Sequence, residues 1–106
     1  MNNIYVLDNL DYFCEWGGAK WSSMVRTSLT DFTGTDLTGK RVLEIGFRYG
    51  RMSSLFALLG AEVTGVELTN VHLKKAQAEL EKWGVTHKVN FLTYDGSLDI
   101  FSDNSF

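Results

Sequence analysis

Between Lys40 and Gly96 the hydrophobic period of the chain switches four times. Arg41-Val42-Leu43-Glu44-Ile45 reads as a short apolar strand ending at Gly46. Met52 to Leu59 reads as an apolar helix stopped by Gly60, a residue suited to a left-handed C-terminal position. Glu62 to Glu67 is a second strand. In the next segment Leu73, Ala76, Leu80 and Trp83 recur at helical spacing, with Asn70 as the expected N-cap and Gly84 as the stop. Val89 to Tyr94 is a third strand, closed by Asp95-Gly96. Strands that alternate with helix-length crossovers run parallel, so the pattern predicts an α/β fold, a parallel sheet with flanking helices. The crossovers are expected to be right-handed and the sheet to be covered on both faces.

Upstream of this unit, Ile4 to about Leu29 carries aromatic and apolar residues at mixed spacing, broken by Gly17-Gly18. One or two short helices are expected, the second with Trp16, Trp21, Met24, Val25 and Leu29 as its inward stripe. Asp31 to Gly39 is rich in Thr, Asp and Gly and is expected to be a loop.

With 44% of its 106 residues hydrophobic and 22% charged, the chain has the composition of one compact domain. No proline, low-complexity run or internal repeat offers a place to divide it. Residues 1–39 are read as an N-terminal helical or lid segment and 40–106 as the βαβαβ unit. The net charge of −3 argues against a nucleic-acid partner, and the pairs Lys40-Arg41 and Lys74-Lys75 read as solvated surface. Nothing approaches the ~18 consecutive apolar residues of a membrane span, and the N-terminus lacks the pattern of a secretory leader, so a cytoplasmic address away from membranes is expected. Cys14 is the single cysteine, which excludes an intrachain disulfide, and no Cys or His partners stand at metal-ligand spacing, so no metal is expected. Its thiol is read as partly buried and inert in preference to a nucleophile activated by His72 or His87, both expected at the surface.

In parallel sheets of this kind ligands sit beyond the carboxyl ends of the strands. The residues there are Glu44 to Gly50, then Glu67 and Leu68, then Asp95 to Ser97, so each strand ends near a carboxylate. Gly46 and Gly50 permit a turn with positive φ and close approach of a ligand to the backbone. The loop is neither a Gly-x-Gly-x-x-Gly dinucleotide fingerprint, since Arg48 takes the place of the second glycine, nor a P-loop, since it ends Gly50-Arg51-Met52. A pyrophosphate would be repelled by Glu44, whereas an ammonium or sulfonium would be attracted to it. Glu67 stands where a carboxylate can accept both hydroxyls of a ribose, and Asp95 where one can accept from an adenine amine. These residues describe an adenosine with a cationic tail.

VLEIGFRYGR, followed by VTGVELT and FLTYDGS, resembles the first three nucleotide-side motifs of the class I, Rossmann-like S-adenosylmethionine-dependent methyltransferases. The resemblance runs from about Lys40 to the C-terminus and departs from the family at Arg48. It implies S-adenosylmethionine as cofactor, with Glu44, Gly46 and Gly50 along its methionine side. Glu67 would then lie at the ribose, Asp95 and Gly96 at the adenine, and Phe47 and Leu68 beside the cofactor through backbone or apolar contact. It further implies methyl transfer, for which the acidic charge balance favours a small-molecule acceptor, and strand order 3-2-1 with the sheet truncated after the third strand. The tail from Asp99 to Phe106 reads as the approach to a fourth strand. The outer edge of the first strand is thereby left unpaired, and a homo-oligomer, a dimer or a domain-swapped assembly, covering Arg41 to Ile45 is expected; the alternative is that the rest of the domain exists outside this sequence.

No catalytic residue is assigned. Tyr12, Trp16, Trp21 and Arg26 would supply a lid or substrate wall, although an aromatic stripe is more often plain core. Two other functions compete. One is half of a nicotinamide-dependent oxidoreductase, which Glu67 fits and Glu44 and Arg48 do not; the other is a non-catalytic, self-associating scaffold.

Overall fold

The computed structural model describes residues 3–14, 18–102 and 105–106, with the side chains of 3, 4, 18, 19 and 31–33 outside that description. Three strands, β1 (Arg41–Ile45), β2 (Glu62–Glu67) and β3 (Val89–Thr93), form one parallel sheet in the order β1-β2-β3, which is the expected 3-2-1 arrangement. The helices between them are α4 (Arg51–Leu58) and α5 (Leu73–Trp83), preceded by α1 (Asn3–Asp8), α2 (Leu10–Phe13) and α3 (Gly18–Thr27). The first two strands have the expected bounds. The third ends at Thr93, one residue before Tyr94, and α4 runs from Arg51 to Leu58.

One face of the sheet carries the main core. Val42, Val63, Val89 and Phe91 alternate onto it and meet Leu55 and Leu59 from the α4 segment and Leu80 from α5. Val6, Leu10 and Phe13 of α1 and α2 close over these helices as a further layer, and all three are buried. Phe13 and Tyr12 also pack against Trp83 at the end of α5, with ring centroids 5.2 and 5.9 Å away. A sheet face that buries apolar side chains under two helices is the driving term for this half of the fold.

The other face is covered differently. Ser105 and Phe106 border a cavity of about 420 Å³ there, together with Arg41, Glu62, Thr64 and Asn90. Ile45, on the same side of β1 as Arg41, remains 61% exposed. Helical cover on both faces, expected for an all-parallel sheet, is therefore not found among the described residues. In place of a fourth strand, the described tail holds a short 3₁₀ turn at Leu98–Ile100 and an edge-to-face pair of Phe101 and Phe106.

The N-terminal segment departs from expectation in three ways. It forms three helices, and α3 continues into a π-helical turn, Ser28–Thr33, so that Asp31 to Thr33 are helical and the loop begins only at Gly34. Hydroxyls explain the widening: Ser28 Oγ donates to the Met24 carbonyl and Thr30 Oγ1 to that of Arg26, and such back-bonding bends and loosens a helix. Of the predicted stripe, Val25 and Leu29 are buried, Trp21 is half-buried, Met24 is exposed and Trp16 lies outside the described residues. Met24 is one residue out of step with the 21, 25, 29 spacing, which is what turns it outward. Asn70 does not cap α5. His72 occupies that position without a side-chain cap bond, and the Asn70 carbonyl instead accepts from Leu73 N–H in the preceding turn.

Candidate functional site

The carboxyl ends of the three strands are brought level by the sheet register. Ile45 pairs with Val66 and Glu67 with Thr93, so Gly46, Glu67 and Thr93 fall on one line across the sheet. Gly46 N–H donates to the Val66 carbonyl at 2.8 Å, and Tyr94 N–H donates to that of Glu67 at 2.9 Å, extending the ladder one step past each strand. The loops that follow all leave from this edge.

The loop from Gly46 to Gly50 is tightly specified. Gly46 and Gly50 have φ of 82° and 80°, as the glycine reading required, and Arg48 between them has a φ of 46°. At Gly50 there is a second reason for glycine. A Cβ there would lie 2.9 Å from the carbonyl oxygen of Ala76 and 3.0 Å from its Cα, so α4 starts in direct backbone contact with α5. Gly65 in β2 is a glycine for packing: a Cβ would sit 2.8 Å from the Phe91 ring and 3.0 Å from Phe47 Cβ. The Phe47 and Phe91 rings fill that slot with centroids 4.2 Å apart. The Phe47 side chain is thus buried beneath the loop, and its backbone is what the loop presents; its carbonyl accepts from Gly50 N–H.

The three acidic residues have different surroundings. Glu67 is half-buried, and one of its oxygens, Oε1, accepts the backbone N–H of Arg48 at 2.9 Å. Its Oε2 has no partner among the described residues. That bond ties the left-handed residue of the first loop to the end of the second strand. Asp95 is exposed, and its Oδ1 accepts from Ser97 N–H at 2.8 Å, an Asx turn that sets the direction of the third loop. Beside it, a Cβ at Gly96 would meet Leu68 at 3.7 Å, so the second and third loops touch. Leu68 itself is 64% exposed at this junction, an apolar surface beside two carboxylates. Glu44 is half-buried and points to the helical side of the sheet, where it accepts a hydrogen bond from the hydroxyl of Ser53, a fully buried residue in the first turn of α4. It is therefore built into the joint between β1 and α4, so its charge acts on the loop mouth from beneath.

Glu67, Leu68, Asp95 and Gly96 come together at one edge with Gly46 and the loop backbone, while the side chains of Glu44 and Phe47 sit below them. The arrangement fits the group read from the sequence. Among the described residues it offers a carboxylate oxygen of Glu67 without a partner, the exposed apolar side chain of Leu68, and a loop held open by positive φ. Sequence reasoning passed over Ser53 and Ser54, two hydroxyls buried in an otherwise apolar helix turn; Ser54 Oγ donates to the Gly50 carbonyl at 2.8 Å. Their position opposite an acidic strand end was the available signal. His72 is half-buried in edge contact with Tyr49, centroids 4.9 Å apart, where an exposed position was expected; His87 is exposed in the turn Thr86–Lys88. Cys14 is buried and free, with its thiol pKa pushed up from 9.0 to about 11 by burial and, after that, by the charge of Asp11. Tyr12 is committed to structure, donating to the Glu79 carboxylate, and Trp21 buries an indole N–H without a partner among the described residues. Arg26 donates to the Leu7 carbonyl.

A parallel sheet whose level strand ends carry a glycine loop and two carboxylates in successive loops is the Rossmann-like arrangement of the class I methyltransferases. Residues 43–106 match the family model described as "Methyltransferase domain", and the chain belongs to that family. It is 48% identical over 50 residues to a ubiquinone biosynthesis O-methyltransferase from Paraburkholderia phymatum, an alignment covering 47% of this chain and 22% of that protein. Among solved structures it resembles the C-terminal domain of precorrin-6Y C5,15-methyltransferase from Rhodobacter capsulatus, with a TM-score of 0.62 and 17% identity over 84% of this chain. YjhP from E. coli is similar at a TM-score of 0.58 and 18% identity, again over 84% of this chain. The chain spans 47% and 36% of those two structures, so it corresponds to half or less of each relative.

Proposed function

We propose that the chain binds S-adenosylmethionine at the carboxyl edge of its sheet and serves as the cofactor-holding part of a methyltransferase acting on a small-molecule acceptor. The observation that carries this reading is Glu67. It stands level with Gly46 and Thr93, with one oxygen occupied by the Arg48 N–H and the other without a partner among the described residues. Gly46 and Gly50 would line the methionine side, with Phe47 contributing backbone. Glu67 would hold the ribose hydroxyls, Leu68 would lie under the adenine, and Asp95 with Gly96 would face its amine. Glu44 would favour the cationic methionine end by charge, from its bond with Ser53. Bound, the cofactor supplies an electrophilic methyl on a positively charged sulfur. The residues named here orient it and select a cation-bearing nucleoside over a pyrophosphate.

No residue of the described chain is assigned to the acceptor. A chain with one cysteine, Cys14, and so without an intrachain disulfide, fits a cytoplasmic setting. Among the described residues β1 joins the sheet through β2 alone, and Ile45 on it is exposed, which supports association of two copies through this strand. Calorimetric titration separates the methyltransferase reading from a nicotinamide-binding one: S-adenosylhomocysteine is expected to bind saturably and NAD not to bind. Tighter binding of NAD would reverse the assignment. Binding of neither would leave the scaffold reading in its place.

A further inference from the structure

Phe47 belongs to a loop by its backbone and to the interior by its side chain. It stands past the end of β1, between Gly46 and Arg48, yet it is only 2% exposed. Loop side chains ordinarily lie at the surface, so a ring buried here needs a place shaped to receive it. The sheet register supplies that place. Glu44, Gly65 and Phe91 are Cα partners in one row across the three strands, and the middle residue has no side chain. Phe47 enters the gap over Gly65 from the loop above.

Phe91 is one wall of that gap. Its ring meets the Phe47 ring at a 31° tilt with centroids 4.2 Å apart, close enough for each to fix the depth of the other. A Cβ at Gly65 would lie 2.8 and 2.9 Å from Cδ1 and Cε1 of Phe91 and 3.0 Å from Phe47 Cβ, so the fit leaves no room for even one more carbon. The main chain around Phe47 is tied to the strand ends. Gly46 N–H donates to the Val66 carbonyl at 2.8 Å, Arg48 N–H to Glu67 Oε1 at 2.9 Å, and Gly50 N–H to the Phe47 carbonyl at 2.9 Å. Those bonds set the direction of the loop, and the seated ring sets its height over the sheet. Phe91 lies two residues before the end of β3 and carries no polar group, so whatever it does for the edge it does through Phe47.

We infer that Phe91 is a positioning residue for the loop from Gly46 to Gly50, acting through the Phe47 ring, with Gly65 as the gap that lets the two rings meet. A smaller side chain at position 91 lets Phe47 sink and draws the loop backbone out of level with Glu67. The consequence for S-adenosylmethionine rests on the reading of the strand-end edge given above, whereas the consequence for the loop stands without it.

Two measurements on the 106-residue chain keep these apart. The first is amide hydrogen exchange without ligand, in which Phe91→Leu is expected to speed exchange at Arg48 and Gly50 about tenfold. Gly65→Ala, which displaces the rings instead of shrinking one, is expected to act in the same direction. Val89→Ala is the control: it thins the core on the same face of β3, so the melting temperature should fall while those two amides keep their rates. The second is calorimetric titration with S-adenosylhomocysteine at a temperature where every variant is folded. Binding is expected to be about tenfold weaker in Phe91→Leu and unchanged in Val89→Ala. Phe91→Met, which nearly conserves volume but loses the flat face, should shift both readouts the same way and carries the test if Phe91→Leu does not fold. Wild-type exchange rates at Arg48 and Gly50 in Phe91→Leu and Gly65→Ala, or equal acceleration by Val89→Ala, would overturn the positioning role. Faster loop amides with undiminished affinity would overturn its link to the cofactor. Faster loop amides in the variants of a chain whose wild type does not bind S-adenosylhomocysteine would uphold the positioning role and reject the cofactor reading instead.

Discussion

At Arg48 the backbone adopts a φ of 46°, in the left-handed region that costs an L side chain about 1–2 kcal/mol, between two glycines that adopt positive φ freely. The Glu67 carboxylate accepts its N–H, and its guanidinium lies over the Tyr49 ring, so the loop keeps this conformation against the preference of the residue. Glycine at this place would relieve the strain and add disorder to the unfolded chain. The net expectation for Arg48→Gly is a gain of about 0.5–1 kcal/mol in urea denaturation. A loss would mean that the contact of the guanidinium with Tyr49 outweighs the backbone strain. Glu67 and Asp95 were legible as candidate ligands because strand ends can be read from periodicity alone. The Ser53 bond to Glu44 was not, because it depends on how α4 packs over β1, a tertiary placement that periodicity does not give.

Among the elements, β1, β2 and α5 were readable because each carries a single unbroken period bounded by glycine or a charged residue. The π-turn at Ser28–Thr33 was not, since its threonines and aspartate are turn formers by local chemistry and become helical only as a continuation of α3. His72 in place of Asn70 at the head of α5 is a similar case, where the preceding turn uses the asparagine carbonyl and leaves its side chain out of the cap. The docking of α2 has a consequence in pH. Cys14 follows α2 directly and its thiol, buried against the helices, keeps its proton to about pH 11, against 9.0 for the ordinary thiol. Between those values the unfolded chain has lost the proton and the folded chain retains it, so stability falls as pH rises through that window and is independent of this group below it. The melting temperature of the wild type is expected to drop more steeply across that range than that of Cys14→Ala, which starts lower because of the cavity it leaves. Parallel curves would show that α2 opens before the thiol ionises.

For the molecule as a whole, the sheet has helices on one face and a short tail against the other, and β1 pairs only with β2 among the described residues. Ile45, Leu98, Ile100 and Phe106 are all exposed apolar side chains. Such an edge and such side chains favour contact with a second copy, so the sedimentation coefficient is expected to rise with concentration across the micromolar range. Leu43→Lys together with Ile45→Lys should hold the chain monomeric, and a wild type monomeric at every concentration would remove the proposed interface. The central claim concerns the opposite, carboxyl edge, where the most direct measurement is one titration series of S-adenosylmethionine into the wild type, Glu67→Gln and Glu67→Ala, with His87→Ala as the control. A graded loss is expected, about tenfold for glutamine, which keeps one acceptor, and about a hundredfold for alanine, with His87→Ala unchanged. Equal affinities across all four proteins would contradict the assignment of Glu67 and with it the proposed site.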